Sequence, residues 1–196
     1  MAKKRKYPSR KNNSKKITSS SKINLSNIFL RYLLLIISSF SGLWIFYKIF
    51  TPLTIYPVSF ILGLFYHSEL ILSTTILVNF EVPIELIRAC IAGSAYYLLL
   101  IFNLSTPDIK IGTRVKAIIF SFVTFLILNV IRILILSVLA ISGSSYFDVT
   151  HSLFWYGLNT FIIVGIWFAE VKFFNIKQIP LYSDLKSLYN LSHFRR

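Results

Sequence analysis

The chain has 196 residues, 55% of them hydrophobic, and carries 21 Lys and Arg against 7 Asp and Glu. This composition excludes an ordinary soluble domain and is typical of a small polytopic membrane protein. The single cysteine, Cys90, excludes an internal disulfide and a paired-cysteine metal site.

The basic excess lies at the two ends of the chain. Lys and Arg gather on the cytoplasmic side of membrane proteins and are attracted to anionic lipid. We therefore expect basic cytoplasmic tails at residues 1–25, which are predicted to be disordered, and at residues 172–196. A transmembrane domain at residues 26–171 lies between them. The basic sequence lacks the interleaved aromatic residues of single-strand binders, which argues against a nucleic-acid partner.

The first apolar elements are a retained membrane anchor and a shorter segment. Residues 28–50 are too long for a cleavable secretory signal and predict a first span that enters from the cytoplasm. Residues 53–66 contain Pro57 and Gly63, so we expect a short or re-entrant helix near the outer surface. Apolar and polar residues alternate through 76–86, which predicts a small extracytoplasmic hairpin.

Three further apolar segments complete the predicted bundle. Residues 89–104 run inward from the outer surface, residues 115–141 return outward, and residues 151–171 lead back to the basic tail. Lys110 and Arg114 flank the turn predicted to be cytoplasmic. The predicted fold is an all-α integral membrane bundle of about four core spans. We expect it in the cell membrane, with both termini cytoplasmic.

Arg132 interrupts the uncharged apolar run at residues 117–141. An ionised side chain at the centre of a membrane helix costs about 2.5–3.5 kcal/mol, so it usually faces protein or water. Arg132 lies roughly 27 Å along the helix from Arg114, near the outer boundary of a hydrocarbon core of about 30 Å. Cys90 and His151 open their spans from the same side. The three side chains are therefore expected in one outer layer.

Each of these three residues also has a purely structural explanation. Cys90 can be a small buried hydrophobic residue, His151 an interfacial one, and Arg132 can extend to lipid headgroups. Their common depth favours a catalytic site. A thiolate or an oxyanion there needs a cationic neighbour, and a histidine moves protons. Asn129 shares the face of Arg132 and Asp148 precedes His151, so both are candidate supporting residues.

Two strings around these residues resemble motifs of the exosortase/archaeosortase family. The string RACIAG at residues 88–93 is similar to the family's A-C-[ST]-[AG] motif, although isoleucine and alanine follow the cysteine here. The string NVIRI at residues 129–133 is similar to its N-x-x-R-I motif. His151 falls where the family has its third catalytic residue. The resemblance covers residues 53–171, and the compact core favours a small archaeal subgroup.

That family consists of integral-membrane cysteine transpeptidases. The resemblance implies a nucleophilic Cys90, an Arg132 that stabilises the intermediate and a His151 that transfers protons, with no metal or organic cofactor. It implies as substrates secreted proteins with a C-terminal tripartite sorting tail, made of a short motif, a membrane helix and a basic cluster. The new carboxyl end passes to a lipid-linked or other amine acceptor. Arg88 lies beside the expected cleft, where it can contact the sorting motif.

Two other functions fit the same sequence. The first is a non-catalytic membrane protein, such as a transporter subunit or an assembly factor, in which Arg132 pairs with anionic lipid or a partner's carboxylate. A conducting pathway favours polar groups through the midplane, and the spans offer few. The second is another cysteine-dependent membrane enzyme, such as a lipid acyltransferase or a protease. The sequence leaves transfer and hydrolysis both open, because the acceptor decides between them.

Overall fold

The computed structural model describes residues 25–40, 43–107 and 109–176. Seven α-helices and three strands follow one another in this part of the chain. The helices are α1 Leu25–Phe40, α2 Trp44–Phe65, α3 Arg88–Ile91, α4 Gly93–Ser105, α5 Ile111–Ile141, α6 Phe147–Leu153 and α7 Asn159–Phe173. The predicted tails lie outside the described residues, except for Leu25 and residues 172–176.

Three of the helical segments are long and apolar enough to cross a membrane: Trp44–Phe65, Arg88–Ser105 and Ile111–Ile141. The last two correspond to the predicted second and third spans. The 31 residues of α5 extend about 46 Å, which exceeds a hydrocarbon core of about 30 Å. The mostly helical fold with membrane-length helices agrees with the predicted class. The number of crossings and their orientation stay predictions.

The predicted first span, residues 28–50, is wrong. α1 ends at Phe40, Leu43 adopts the left-handed conformation with φ 62°, and α2 starts at Trp44. The short helix expected at residues 53–66 is instead the second half of a 22-residue helix. Pro52 and Pro57 both lie inside α2. Proline disrupts helices in water, but neighbouring helices can satisfy the freed backbone groups inside a membrane protein.

A small antiparallel sheet follows α2. Its strands are β1 Ser68–Leu72, β2 Thr75–Val78 and β3 Val82–Glu85, in the order β1-β2-β3. The predicted hairpin is present as β2 and β3, and Pro83 occupies an edge strand, where its missing N–H is tolerated. β1 was not predicted, because its sequence, SELIL, does not alternate between polar and apolar residues. The extracytoplasmic position of the sheet stays a prediction.

The central helices are antiparallel neighbours. Asn103 on α4 lies beside Ser121 on α5, whereas Cys90, earlier in the chain, lies beside Asn129, later in the chain. α7 also runs antiparallel to α5, and it reaches α5 at Arg132 near the start of α7 and at Ser121 near its end. Residues 147–173 pass through α6, a π-helical turn at Phe154–Leu158 and α7. A fourth span in this segment stays a prediction.

An aromatic layer crosses the bundle between these two sets of polar contacts. Phe50 stacks on Tyr96 with ring centroids 3.5 Å apart, and Tyr96 meets the edges of Phe122 and Phe125 at 5.5 and 4.9 Å. Tyr96 is fully buried. The layer joins α2, α4 and α5 and separates a polar layer around Arg132 from a second one around Ser121.

Candidate active site

A break in the helix places Cys90 on a short turn. α3 has only four residues, and Ala92, with φ 56° and ψ 45°, separates it from α4. A left-handed conformation is uncommon for a residue other than glycine and costs roughly 1–2 kcal/mol. Cys90 therefore lies on an isolated helical turn, two residues before a strained position.

Gly93 allows α2 to approach this break closely. A Cβ atom at Gly93 would lie 2.9 Å from the ring of Tyr47 on α2, too close for an undistorted contact. The absence of a side chain at residue 93 therefore lets the Tyr47 ring lie directly against the backbone that follows Cys90.

Asn129 supports the backbone of Cys90. A left-handed residue interrupts the regular helical ladder, and backbone carbonyls freed inside a membrane bundle need another donor. The Nδ2 atom of Asn129 donates a hydrogen bond of 2.9 Å to the carbonyl oxygen of Cys90. Asn129 is only 2% exposed, and its Oδ1 is buried without a hydrogen-bond partner in the described part of the chain. An unused acceptor therefore lies close to the Cys90 turn.

Arg132 is the buried cation of this site. It is 2% exposed and its Nη1 atom donates a hydrogen bond of 2.8 Å to Oδ1 of Asn159 on α7. Within the described residues its Nε atom is buried without a partner and no carboxylate pairs with the guanidinium. The positive charge lies within electrostatic range of the Cys90 thiol. The arrangement thus offers an uncompensated cation and a free N–H donor beside a thiol.

His151 and Asp148 lie on α6, which packs against α5. His151 is half-buried and its ring is parallel to that of Phe147, with centroids 5.7 Å apart. Asp148 is exposed, one turn before His151. The structure therefore brings Cys90 and Arg132 together, while His151 occupies the adjoining helix. The π-helical turn after α6 lies between His151 and Asn159, and such turns often occur at functional sites.

A cavity of about 330 Å³ adjoins this cluster, between α2, the α3–α4 segment and α7. Arg88, Ser94, Asn159 and Thr160 supply its polar lining. Arg88 is exposed, and its guanidinium carbon lies 5.7 Å from the ring centroid of Tyr47, which also lines the cavity. Arg88, which was predicted to contact substrate, therefore lies in the wall of this cavity. Asn159 faces the cavity and binds Arg132, so it joins the two.

Asn159 is the site residue that sequence reasoning missed. The sequence does contain an indication of its role, because Asn159 is an isolated amide in an apolar segment, which is unusual in a membrane helix. The structure also describes no group of three or more His, Cys, Asp or Glu side chains that could hold a metal ion. No protein-family model, no curated protein and no solved structure matches this chain. The functional argument therefore depends on the geometry of Cys90, Asn129, Arg132 and Asn159.

Proposed function

We propose that this protein is a membrane-embedded cysteine transpeptidase with Cys90 as its nucleophile. The observation that carries the proposal is the pairing of a buried Arg132 with an uncharged partner, Asn159, next to the only cysteine of the chain. A buried cation without a counter-ion is costly. Its position is explained if negative charge develops on Cys90 or on an intermediate bound to it.

In the proposed first step, the Cys90 sulfur attacks the carbonyl carbon of the scissile peptide bond and its proton passes to His151. The oxyanion of the tetrahedral intermediate accepts a hydrogen bond from the free Nε of Arg132. The C–N bond then breaks and His151 returns the proton to the departing amine. The new carboxyl end remains on Cys90 as a thioester.

In the second step an amine attacks the thioester carbonyl and gives its proton to His151. The C–S bond breaks, the sulfur recovers the proton, and the product carries a new amide bond. A water molecule in place of the amine gives hydrolysis. Asn129 takes no part in bond making; its hydrogen bond to the carbonyl of Cys90 fixes the turn that carries the sulfur.

The proposed substrates are secreted proteins with a C-terminal sorting tail, and the proposed acceptor is a lipid-linked amine. The cavity beside Asn159 supports a bound peptide segment, because its polar wall lies directly next to the Cys90 turn. Arg88 in the same wall supports contact with the sorting motif. The proposed protein lies in the cell membrane with both tails in the cytoplasm and the Cys90 layer facing outward.

The test is to trap the thioester. The full chain is purified from its native membranes under mild acid, and Cys90 is examined by mass spectrometry before and after hydroxylamine, which cleaves thioesters. We expect an acyl adduct on Cys90 that hydroxylamine removes. Since the chain has one cysteine, the site of the adduct is unambiguous.

Cys90→Ala is compared in the same cells, with sorting-tail proteins followed by top-down mass spectrometry. Uncleaved tails are expected in this variant. Complete cleavage of the sorting tails in cells that contain only the Cys90→Ala variant would contradict the transpeptidase proposal and favour a non-catalytic membrane protein.

A further inference from the structure

A second polar layer lies at the other end of the central helices, outside the Cys90 site. Glu170 on α7 is 1% exposed, and its Oε2 atom lies 2.5 Å from Oγ of Ser121 on α5 and 3.0 Å from Nδ2 of Asn103 on α4. Ser121 lies about 16 Å along α5 from Arg132. A buried carboxyl group therefore joins three helices at a place that the proposed reaction does not use.

The side chains that form hydrogen bonds with Glu170 are uncharged. Cations do occur nearby, but the guanidinium of Arg114 on α5 donates to the backbone carbonyls of Asn103 and Thr106. On the other elements, Arg31 of α1 donates to the carbonyl of Leu104, and Lys172 of α7 is exposed. No ion pair of Glu170 is found among the described residues. An ionised carboxylate buried in this way is costly, whereas a neutral carboxylic acid with hydrogen bonds is not.

The hydrogen bonds of Ser121 also favour a neutral Glu170. Oγ of Ser121 lies 2.5 Å from Glu170 Oε2 and 3.0 Å from the carbonyl oxygen of Ala117, and both of these atoms are acceptors if Glu170 is ionised. A serine hydroxyl has one hydrogen to donate. With an ionised Glu170, Ser121 must share its single hydrogen between these two acceptors, whereas a protonated Glu170 can donate to Ser121 and leave the serine hydrogen for Ala117.

Asn103 completes this arrangement and leaves one acceptor free. The two hydrogens of its Nδ2 go to Glu170 Oε2 and to the carbonyl oxygen of Leu99. Its Oδ1 is buried without a partner in the described part of the chain. That oxygen can accept a hydrogen bond from a water molecule, which provides a place for a proton to arrive or leave.

We propose that Glu170, Ser121 and Asn103 form a proton-binding site in the core of the bundle, where Glu170 carries its proton at neutral pH and thereby ties α4, α5 and α7 together. The site is independent of the reaction at Cys90. The proton is bound between Glu170 Oε2 and Ser121 Oγ, and it is released when this junction opens to water. The bound species is a proton and not a metal ion, because the short distance between Glu170 Oε2 and Ser121 Oγ leaves no room for a metal ion between the two oxygens.

Infrared spectroscopy of the full chain tests the proposal directly. The protein is purified in a detergent without carbonyl groups, and the carboxylic acid C=O stretch is recorded at neutral pH in H₂O and in D₂O. We expect a band that moves to lower frequency in D₂O, disappears in Glu170→Gln and persists in Glu81→Gln, a matched change at an exposed acid. Ser121→Ala keeps the band but moves it to higher frequency, because the acid loses its hydrogen-bond acceptor.

Two results would overturn the proposal. Identical spectra of wild type and Glu170→Gln in this region would show that Glu170 is ionised. A band that appears only after sodium is removed would identify a metal cation as the ligand instead.

Discussion

The side-chain amide of Asn129 on α5 donates a hydrogen bond of 2.9 Å to the backbone carbonyl of Cys90, across the gap between two helices. This contact fixes the turn that carries the only thiol of the chain relative to the helix that carries Arg132. Because Asn129 and Arg132 are one helical turn apart, their side chains lie on the same side of α5. One segment of α5 therefore contacts the turn that carries the thiol and also supplies the nearby positive charge.

The loss of this hydrogen bond should loosen the Cys90 turn. We expect Asn129→Ala to lower the free energy of unfolding by about 1–3 kcal/mol, because the carbonyl of Cys90 loses a buried partner. Thermal unfolding in detergent measures the effect, and Ser152→Ala, an exposed change on α6, should leave the midpoint unchanged. Equal midpoints for Asn129→Ala and wild type would mean that the turn does not need this support.

The charge of Arg132 should govern which reagents reach Cys90. We expect wild type to react faster with an anionic methanethiosulfonate than with a cationic one. In Arg132→Gln this preference should fall about fivefold, which corresponds to about 1 kcal/mol of electrostatic attraction. Mass spectrometry of the single cysteine gives both rates. Lys116→Gln is the control, since Lys116 is an exposed cation near the other end of α5. An unchanged preference in Arg132→Gln would place the guanidinium out of range of the thiol.

Asn159 should bind Arg132 without neutralising its positive charge. Asn159→Asp has nearly the same shape and places a carboxylate 2.8 Å from the guanidinium, where Asn159 Oδ1 lies now. We expect this variant to fold at least as stably as wild type, because buried cations gain from a paired carboxylate. Its preference for anionic thiol reagents should nevertheless drop to the level of Arg132→Gln. A variant that retained the wild-type preference would show that Asn159 does not control the field at Cys90.

The left-handed conformation of Ala92 should cost stability that glycine recovers. We expect Ala92→Gly to raise the free energy of unfolding by about 1 kcal/mol, because glycine adopts this conformation without steric strain. Ala95→Gly, in the helical part of α4, should lower it by about 1 kcal/mol or more. The thermal unfolding midpoints of Ala92→Gly and Ala95→Gly, each compared with wild type, test this prediction. If both changes destabilised the protein equally, residue 92 would not be strained.

The sequence predicted the parts of this fold that depend on neighbouring residues. The long apolar run of α5 with Arg132 inside it, and the alternation that forms β2 and β3, are local patterns and were found in the structure. The segment at residues 53–66 was predicted to be a separate short helix because Pro57 was taken as a helix breaker, although Pro57 lies inside α2. The end of α1 was misplaced because the left-handed Leu43 before α2 has no signal in the apolar pattern.

The contacts that define the two polar layers could not be predicted from the sequence in this way. Glu170 lies 49 residues from Ser121 and 67 from Asn103, and Asn159 lies 27 from Arg132. Such pairs are set by how helices pack, and no periodicity in one helix encodes its neighbour. The left-handed Ala92 is equally hidden, since alanine normally favours a continuous helix. What the sequence does show is which polar residues are isolated in apolar spans and are therefore candidates for such contacts.

The aromatic layer of Phe50, Tyr96, Phe122 and Phe125 has a consequence for permeability. The four rings pack against one another between the Glu170 layer and the Cys90 layer, so they present apolar surface between two polar sites on the same helices. If these helices cross a membrane in the proposed orientation, the two polar layers lie toward its opposite faces. The proposed thioester on Cys90 would then be separated by this apolar layer from the solution at the other face.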